Sequence, residues 1–486
     1  MQLLAMHGLS MAALTGPPAI VAALEGAWSL ALALAFGAAL PAAAFFAQRA
    51  APGVAEPRKI EAFVAVAAAF VVGSLLATPG FLALGMDPVS AFFEAVSAVT
   101  TTGVSAATST ADWPQAGHFL RAWLHWIGGF AFAVLAIALV LGQGAVAIRL
   151  GLVDGPGVDA LGSTRQRART LLGVYGLTSL ATVVLAALFA PSAFEGALLA
   201  LSAISTGGFA PRPDSAGGYA ATLQASIAVS MLAGMVAFSL YHLGWRKGPG
   251  SFLRDGELRL LLGILAVASA AVIGLEASRS GGVGAWDAAF TVISAQSTGG
   301  FATISLDSFN SASLALLILV MAIGGSLGST AGGLKVFRVA FAMAAARLAL
   351  SRTALSPNAV SHLRVFGRKT ENGEGVDVFA LFVVYLMALF ALWIALLWTG
   401  AEALPALFDT VSVLSNVGLS MGVVGPDLSP ALKLLVALAM LLGRLEFLAF
   451  LILFRVSTWA PTSFGAAVSA RLRRWIDAAA AVRFRR

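Results

Sequence analysis

The residues best placed for chemistry in this chain are hydroxyls, an amide and backbone carbonyls gathered around four glycines. The stretches read SAFFEAVSAVTTTGVS (Ser90–Ser105), EGALLALSAISTGGFA (Glu195–Ala210), DAAFTVISAQSTGGFA (Asp287–Ala302) and PALFDTVSVLSNVGLS (Pro405–Ser420). Aligned on Gly103, Gly208, Gly300 and Gly418, they share a serine six positions earlier: Ser97, Ser202, Ser294 and Ser412. Thirteen positions earlier stand Ser90, Glu195, Asp287 and Pro405, all suited to a first helical turn. Each unit thus predicts a short apolar helix that starts there and runs into a Ser/Thr/Asn-rich turn. Carbonyls around Thr102–Gly103, Gly207–Gly208, Gly299–Gly300 and Val417–Gly418 are the candidate ion ligands. Side-chain oxygens of Thr101, Thr206, Thr298 and Asn416, one residue earlier, could form a site beneath them. Four such turns around one axis would replace a cation's hydration shell with carbonyls. Hard oxygen donors suit alkali cations rather than transition metals. Glycine at the aligned position permits dihedrals that turn carbonyls inward, and one glycine per repeat implies a short filter.

The elements that must position these turns are membrane helices. Of 486 residues, 59% are hydrophobic and 11% charged, far below the ~25% charged share of soluble domains. Apolar runs of the length that crosses a bilayer place spans near 3–23 and 27–47, then a pair around each turn. Those pairs are 60–78 and 117–147, 169–190 and 220–243, 257–275 and 311–347, 376–400 and 430–457. The start MQLLAMHGLS reads as part of the first span rather than a cleaved signal. Cysteine is absent, which excludes disulfides and thiolate chemistry. The five histidines (His7, His118, His125, His242, His362) show no metal-ligand spacing.

Arg and Lys concentrate on one set of connections: Arg49 to Lys59, Arg149 to Arg169, Arg246 to Arg259, Lys335 to Lys369 and Arg455 to Arg486. The opposite set carries most of the acids, among them Glu25, Asp87, Glu94, Glu195, Asp287 and Asp409. The positive-inside rule makes the first set and both termini cytoplasmic, which puts all four turns on the outer side. The expected fold is all-α: four pseudo-symmetric span–pore helix–filter–span repeats around a central pore. The divisions are an N-terminal hairpin (1–57), repeats at 58–150, 151–250, 251–350 and 351–460, and a basic tail (461–486). Non-helical backbone at membrane depth must be buried or line water, so the turns have to share an axis.

Two features below the turns stand out. Gly324, Gly325, Gly328, Gly332 and Gly333 crowd into one span and are followed by Lys335. They form either a helix-packing seam or a break in the helix. Lys335 is either a charge near the inner pore or a cytoplasmic anchor. Arg444 lies too deep in the last span to snorkel easily, so it faces a cavity or a buried partner. Glu446, two residues on, is off its helix face.

With these residues in view the chain resembles the TrkH/KtrB superfamily of bacterial potassium uptake proteins. TTTGVS after FFEAVSAV is similar to that family's first filter and AISTGGF to its second. MAIGGSLGSTAGGLKVFRV (Met321–Val339) resembles its glycine-rich loop, and LHWIGGFAFAVLAIAL (Leu124–Leu139) and GRLEFLAFLILF (Gly443–Phe454) its spans. Length, the extra hairpin and KVFR favour the TrkH branch, whereas SNVGLSMG is more like KtrB, and Gly299 stands where Thr is usual. The resemblance implies transported K⁺, a gate formed by the loop under the filter, and Arg444 as an electrostatic barrier. It also implies a homodimer in the bacterial inner membrane and a cytosolic TrkA-like nucleotide-binding ring as partner. No nucleotide fingerprint, enzyme constellation or nucleic-acid-binding feature accompanies it. A proton- or sodium-coupled symporter on the same scaffold is the alternative.

Overall fold

The computed structural model describes residues 8–49, 59–140, 160–353, 362–370 and 374–445. Two short helices, α1 (Gly8–Ala12) and α2 (Gly16–Leu24), lead to α3 (Trp28–Arg49). The first repeat is α4 (Lys59–Ala83), α5 (Pro88–Val99) and α6 (Gln115–Val140). The second is α7 (Ala160–Ala187), α8 (Ala193–Ile204), α9 (Ala221–Met235) and α10 (Phe238–Lys247), followed by α11 (Pro249–Leu253). The third is α12 (Gly256–Ala277), α13 (Ala285–Ser297), α14 (Ser311–Ile323) and α15 (Val336–Arg352). A two-residue-per-strand hairpin, β1 (Arg364–Val365) with β2 (Arg368–Lys369), precedes the fourth: α16 (Glu374–Leu397), α17 (Ala403–Leu414) and α18 (Pro430–Arg444).

Each short helix packs against the second span of the preceding repeat: α8 on α6, α13 on α9, α17 on α14, and α5 on α18. The fourth contact closes the circle, so the repeats form a pseudo-fourfold ring. The N-terminal hairpin lies outside it, against α4 and α6. Glu25 at its tip accepts hydrogen bonds from Gln115 N (3.0 Å) and Ala116 N (2.8 Å). That carboxylate caps the positive end of α6, where free N–H groups and the helix dipole both favour an anion.

Several expectations require correction. The short helices start two residues earlier than the sequence reading placed them, at Pro88, Ala193, Ala285 and Ala403. The reason is local: Asp87 caps α5 through Val89 N and Ser90 N, and Ser192 caps α8 through Glu195 N. Ser90 and Glu195 therefore sit in the third helical position, the latter in a Ser-x-x-Glu pattern. Among cap carboxylates, Asp87 is held below its ordinary pKa, chiefly by the Ser90 side-chain and backbone hydrogen bonds.

The second correction concerns 220–243, which is not one span but α9 and α10 bent by 87° at Val236–Ala237. Carbonyls freed at the bend are used: Met235 O accepts from Ser326 N (3.0 Å) and Gly234 O from Thr330 N (3.1 Å). The span expected at 311–347 breaks at Gly324, whose φ is +71°, and resumes after Lys335. Among the described residues five helices are long and apolar enough to cross a membrane, and the bent pair makes a sixth. The other expected spans are interrupted or run past the described residues. The junction at 50–58, the loop at 151–159 and the tail also lie outside them.

Candidate functional site

All four short helices end in the same way. The residue two before each aligned glycine is left-handed: Thr101 (φ +53°), Thr206 (+54°), Thr298 (+56°) and Asn416 (+53°). Their N–H groups bond back three residues, to Ala98, Ala203, Ala295 and Val413. The next N–H groups, of Thr102, Gly207, Gly299 and Val417, bond to the carbonyls of Ser97, Ser202, Ser294 and Ser412 at 2.8–2.9 Å. This pair of bonds is the Schellman ending, which usually places glycine in the left-handed position. Thr and Asn occupy it here at a cost of roughly 1–2 kcal/mol each. The surrounding ring must hold them there.

The aligned glycines follow with φ of +80°, +86°, +73° and +94°. A Cβ added to Gly103 would meet Gly207 O, one on Gly300 would meet Val417 O, and one on Gly418 would meet Thr102 O. On Gly208 it would meet the Gly300 backbone at 2.9 Å and Gly299 O at 3.0 Å. The chain segments bearing the candidate carbonyls thus press against one another in the order one, two, three, four, one. The four glycines also line one open cavity of about 730 Å³ with Arg121, Phe209, Thr303 and Ser420.

The residue before the glycine is itself glycine in repeats two and three for a packing reason. A side chain at Gly207 would strike the imidazole of His125, and one at Gly299 would strike the sulfur of Met231. His125 is buried, stacks on Phe209 at 4.5 Å and has Nδ1 3.1 Å from Ser202 Oγ. Neither backing residue was singled out from sequence, because each belongs to the second span of the preceding repeat, far from the motif it backs.

The side chains one position earlier all lie buried below the carbonyls but are committed differently. Thr206 Oγ1 donates to Ser205 O (2.7 Å), and Thr298 Oγ1 accepts from Gly332 N (2.8 Å). Asn416 Nδ2 donates to Thr102 Oγ1 and Met440 O, both at 2.9 Å. Thr101 Oγ1 and Asn416 Oδ1 are buried with no hydrogen-bond partner among the described residues.

Two acids are not where the sequence reading put them. Glu94 and Asp409 do not face the outer solvent; both are fully buried. Each stands nine residues before its glycine and accepts from the segment leaving the turn. Glu94 takes Ser105 Oγ (3.1 Å) and Ala106 N (2.9 Å), and Asp409 takes Ser420 Oγ (2.7 Å), Met421 N (2.6 Å) and Val424 N (2.8 Å). Buried N–H groups need partners, and a carboxylate on the adjacent helix satisfies several at once. The shared spacing was the available signal.

Beneath the ring the glycine-rich segment 324–335 is a buried loop, with Gly328, Gly333 and Lys335 also at positive φ. Gly332 lies against Ser415 O and Gly325 against Met235 O, leaving no room for side chains. Thr330 Oγ1 donates to Ile204 O (3.0 Å) and Gly234 O (2.9 Å), while Leu327 N donates to the buried Glu257 carboxylate (2.9 Å). Arg444 is fully buried. It donates to Thr330 O (2.8 Å) and Gly128 O (3.3 Å), and its guanidinium lies 4.1 Å from the Phe132 ring centre. The Lys335 ammonium is 4.6 Å from the same ring, donates to Ala331 O, and is buried within protein. Glu446 lies outside the described residues.

A mostly helical membrane fold that closes four like-built turns into one ring suits a membrane transport protein. The family model for TrkH, a cation transport protein, matches residues 36–247 and 260–465. The chain belongs to the TrkH family. The Trk system potassium uptake protein TrkH of Escherichia coli is 30% identical over 383 residues, covering 76% of this chain and 79% of that protein. An uncharacterized cation transporter of Methanocaldococcus jannaschii is 29% identical over 393 residues, covering 80% of this chain and 81% of that protein. The crystal structure of the potassium transporter TrkH from Vibrio parahaemolyticus superposes with a TM-score of 0.82 at 26% identity, covering 94% of this chain and 99% of that one.

Proposed function

We propose that this chain is the ion-translocating subunit of a Trk-type potassium uptake system, working by gated permeation through its central axis. The observation that carries the reading is the closed contact order of the four turns, in which each glycine abuts the carbonyl segment of the next repeat. Carbonyls of Thr102, Gly207, Gly299 and Val417 are the proposed K⁺ ligands, with the Thr101, Thr206, Thr298 and Asn416 level below. The names of the E. coli and V. parahaemolyticus relatives support potassium as the ion. The buried loop 324–335 is the proposed gate, and Arg444 both fastens it and sets a positive charge under the filter. A TrkA-like nucleotide-binding ring on the basic inner face is the proposed regulator, and the homodimer, the bacterial inner membrane and cytoplasmic termini complete the reading.

Uptake of radioactive rubidium into proteoliposomes tests it. Saturable uptake driven by an inward-negative potential, competed by K⁺ more than by Na⁺ and indifferent to a pH gradient, is the expected result. Uptake that requires a proton or sodium gradient would make the protein a symporter instead.

A further inference from the structure

The four turns are braced in two different ways, and the difference leaves one charge uncompensated. In repeats two and three the outgoing segments are stitched to each other: Ala216 N donates to Ala302 O (2.9 Å) and Ala302 N to Ser215 Oγ (3.2 Å). In repeats one and four the outgoing segment is tied to its own pore helix by Glu94 and by Asp409. The equivalent positions in repeats two and three are Leu199 and Thr291, which cannot play that part.

The two braces differ in charge balance. Arg121 Nη2 lies 3.1 Å from Glu94 Oε1, both side chains almost wholly buried, and the guanidinium is 3.6 Å from the Phe209 ring centre. That pair is neutral. Asp409 meets donors: backbone N–H groups of the outgoing segment, among them those of Met421 and Val424, and the Ser420 hydroxyl. Among the described residues it has no Arg, Lys or His partner. Donors around an acidic side chain favour its ionised form while burial opposes it, so a buried charge without a counter-ion is costly unless something offsets it. A cation entering the filter from the 730 Å³ outer cavity would do so, because Ser420 lines that cavity beside Gly418.

We infer that Asp409 is a positioning residue for the permeating ion, supplying the outer filter with a net negative charge that Glu94, matched by Arg121, does not. This rests on the reading of the four turns as a potassium filter. Asp409 holds Ser420, two residues beyond Gly418. At ~3.4 Å per residue plus a hydrogen bond, its charge lies on the order of 10 Å from the ring.

The test is rubidium uptake as a function of concentration in proteoliposomes. Asp409→Asn should raise the apparent KM for Rb⁺ about tenfold, as expected for a unit charge at that range and an effective dielectric near 20. The maximal rate should move less, and the difference should shrink at high ionic strength. Asp409→Glu should restore the KM. Ser420→Ala, which loosens the same brace without touching charge, and the charge-neutral double variant Glu94→Gln/Arg121→Gln should shift Rb⁺ over Na⁺ preference rather than KM. An Asp409→Asn KM within about twofold of wild type, or a Ser420→Ala variant that matches it, would make Asp409 a brace only. If Asp409→Asn does not fold, the contrast between Asp409→Glu and Ser420→Ala decides. Absence of rubidium uptake in the wild type would instead overturn the filter reading itself.

Discussion

The ring of turns and the layer directly beneath it are built by the same four repeats, yet one is nearly symmetric and the other is not. In the ring every repeat contributes the same Schellman ending, the same left-handed Thr or Asn and the same glycine with φ between +73° and +94°. One level down, repeat one supplies Phe132, repeat two a helix bent by 87°, repeat three a buried loop and repeat four Arg444. The lesson is one of local against tertiary control. A layer set by short-range hydrogen bonding repeats wherever its motif repeats. A layer assembled from single side chains of different repeats can differentiate.

The largest effect should come from spoiling the symmetric layer. Gly300→Ala or Gly418→Ala places a methyl against the carbonyl of the neighbouring repeat at a dihedral that already disfavours L-residues by ~1–2 kcal/mol. Rubidium uptake should be abolished, or its preference over sodium lost, with the protein still in the membrane. Gly173→Ala, at a glycine with open space around it, should leave uptake intact.

Next in size is the asymmetric layer. Deleting part of 324–333 should give uptake independent of any cytosolic partner and about tenfold or more above the unstimulated wild type, equivalent to ~1.4 kcal/mol or more in the gating equilibrium. Uptake that remains fully partner-dependent would make the segment a packing seam. A smaller rise is expected for Arg444→Ala. It removes both the bond to Thr330 O and a charge whose repulsion of a cation ~6 Å away, at most roughly 3 kcal/mol at an effective dielectric near 20, is cut further by water and counter-ions on the pathway. A fall in uptake with loss of folded protein would assign Arg444 to structure alone.

The smallest effect lies outside both layers. Glu25→Gln weakens the cap on α6 and should lower stability by about 0.5–1 kcal/mol. That is measurable as a lower thermal unfolding temperature in detergent, with unchanged rubidium uptake.

How much of this was legible in the sequence follows the same division. The repeat period, the Schellman-forming serines' register and the glycines are local, so spacing revealed them; for the cluster Gly324–Gly333 spacing left a packing seam and a helix break both open. The helix starts were misplaced by two residues because Ser90 and Glu195 resemble caps while the true caps, Asp87 and Ser192, lie just before them. The bend at Val236 was not read from the sequence: Gly234, two residues before it, is one glycine among many in these spans, and the partners of the freed carbonyls come from the loop of another repeat. Glu94 and Asp409 read as surface acids because burial by a returning segment is a tertiary event, although their common distance from the glycines was in plain view. His125, Met231 and Phe132 act across repeat boundaries, and a single sequence does not show which spans meet.

Locating a heavy alkali-ion analogue directly tests the central claim that the four turns bind the transported cation. In crystals of the full chain grown with rubidium or thallium, anomalous density should appear on the axis enclosed by the carbonyls of Thr102, Gly207, Gly299 and Val417. Density confined to other places, in protein that still takes up rubidium, would contradict the account.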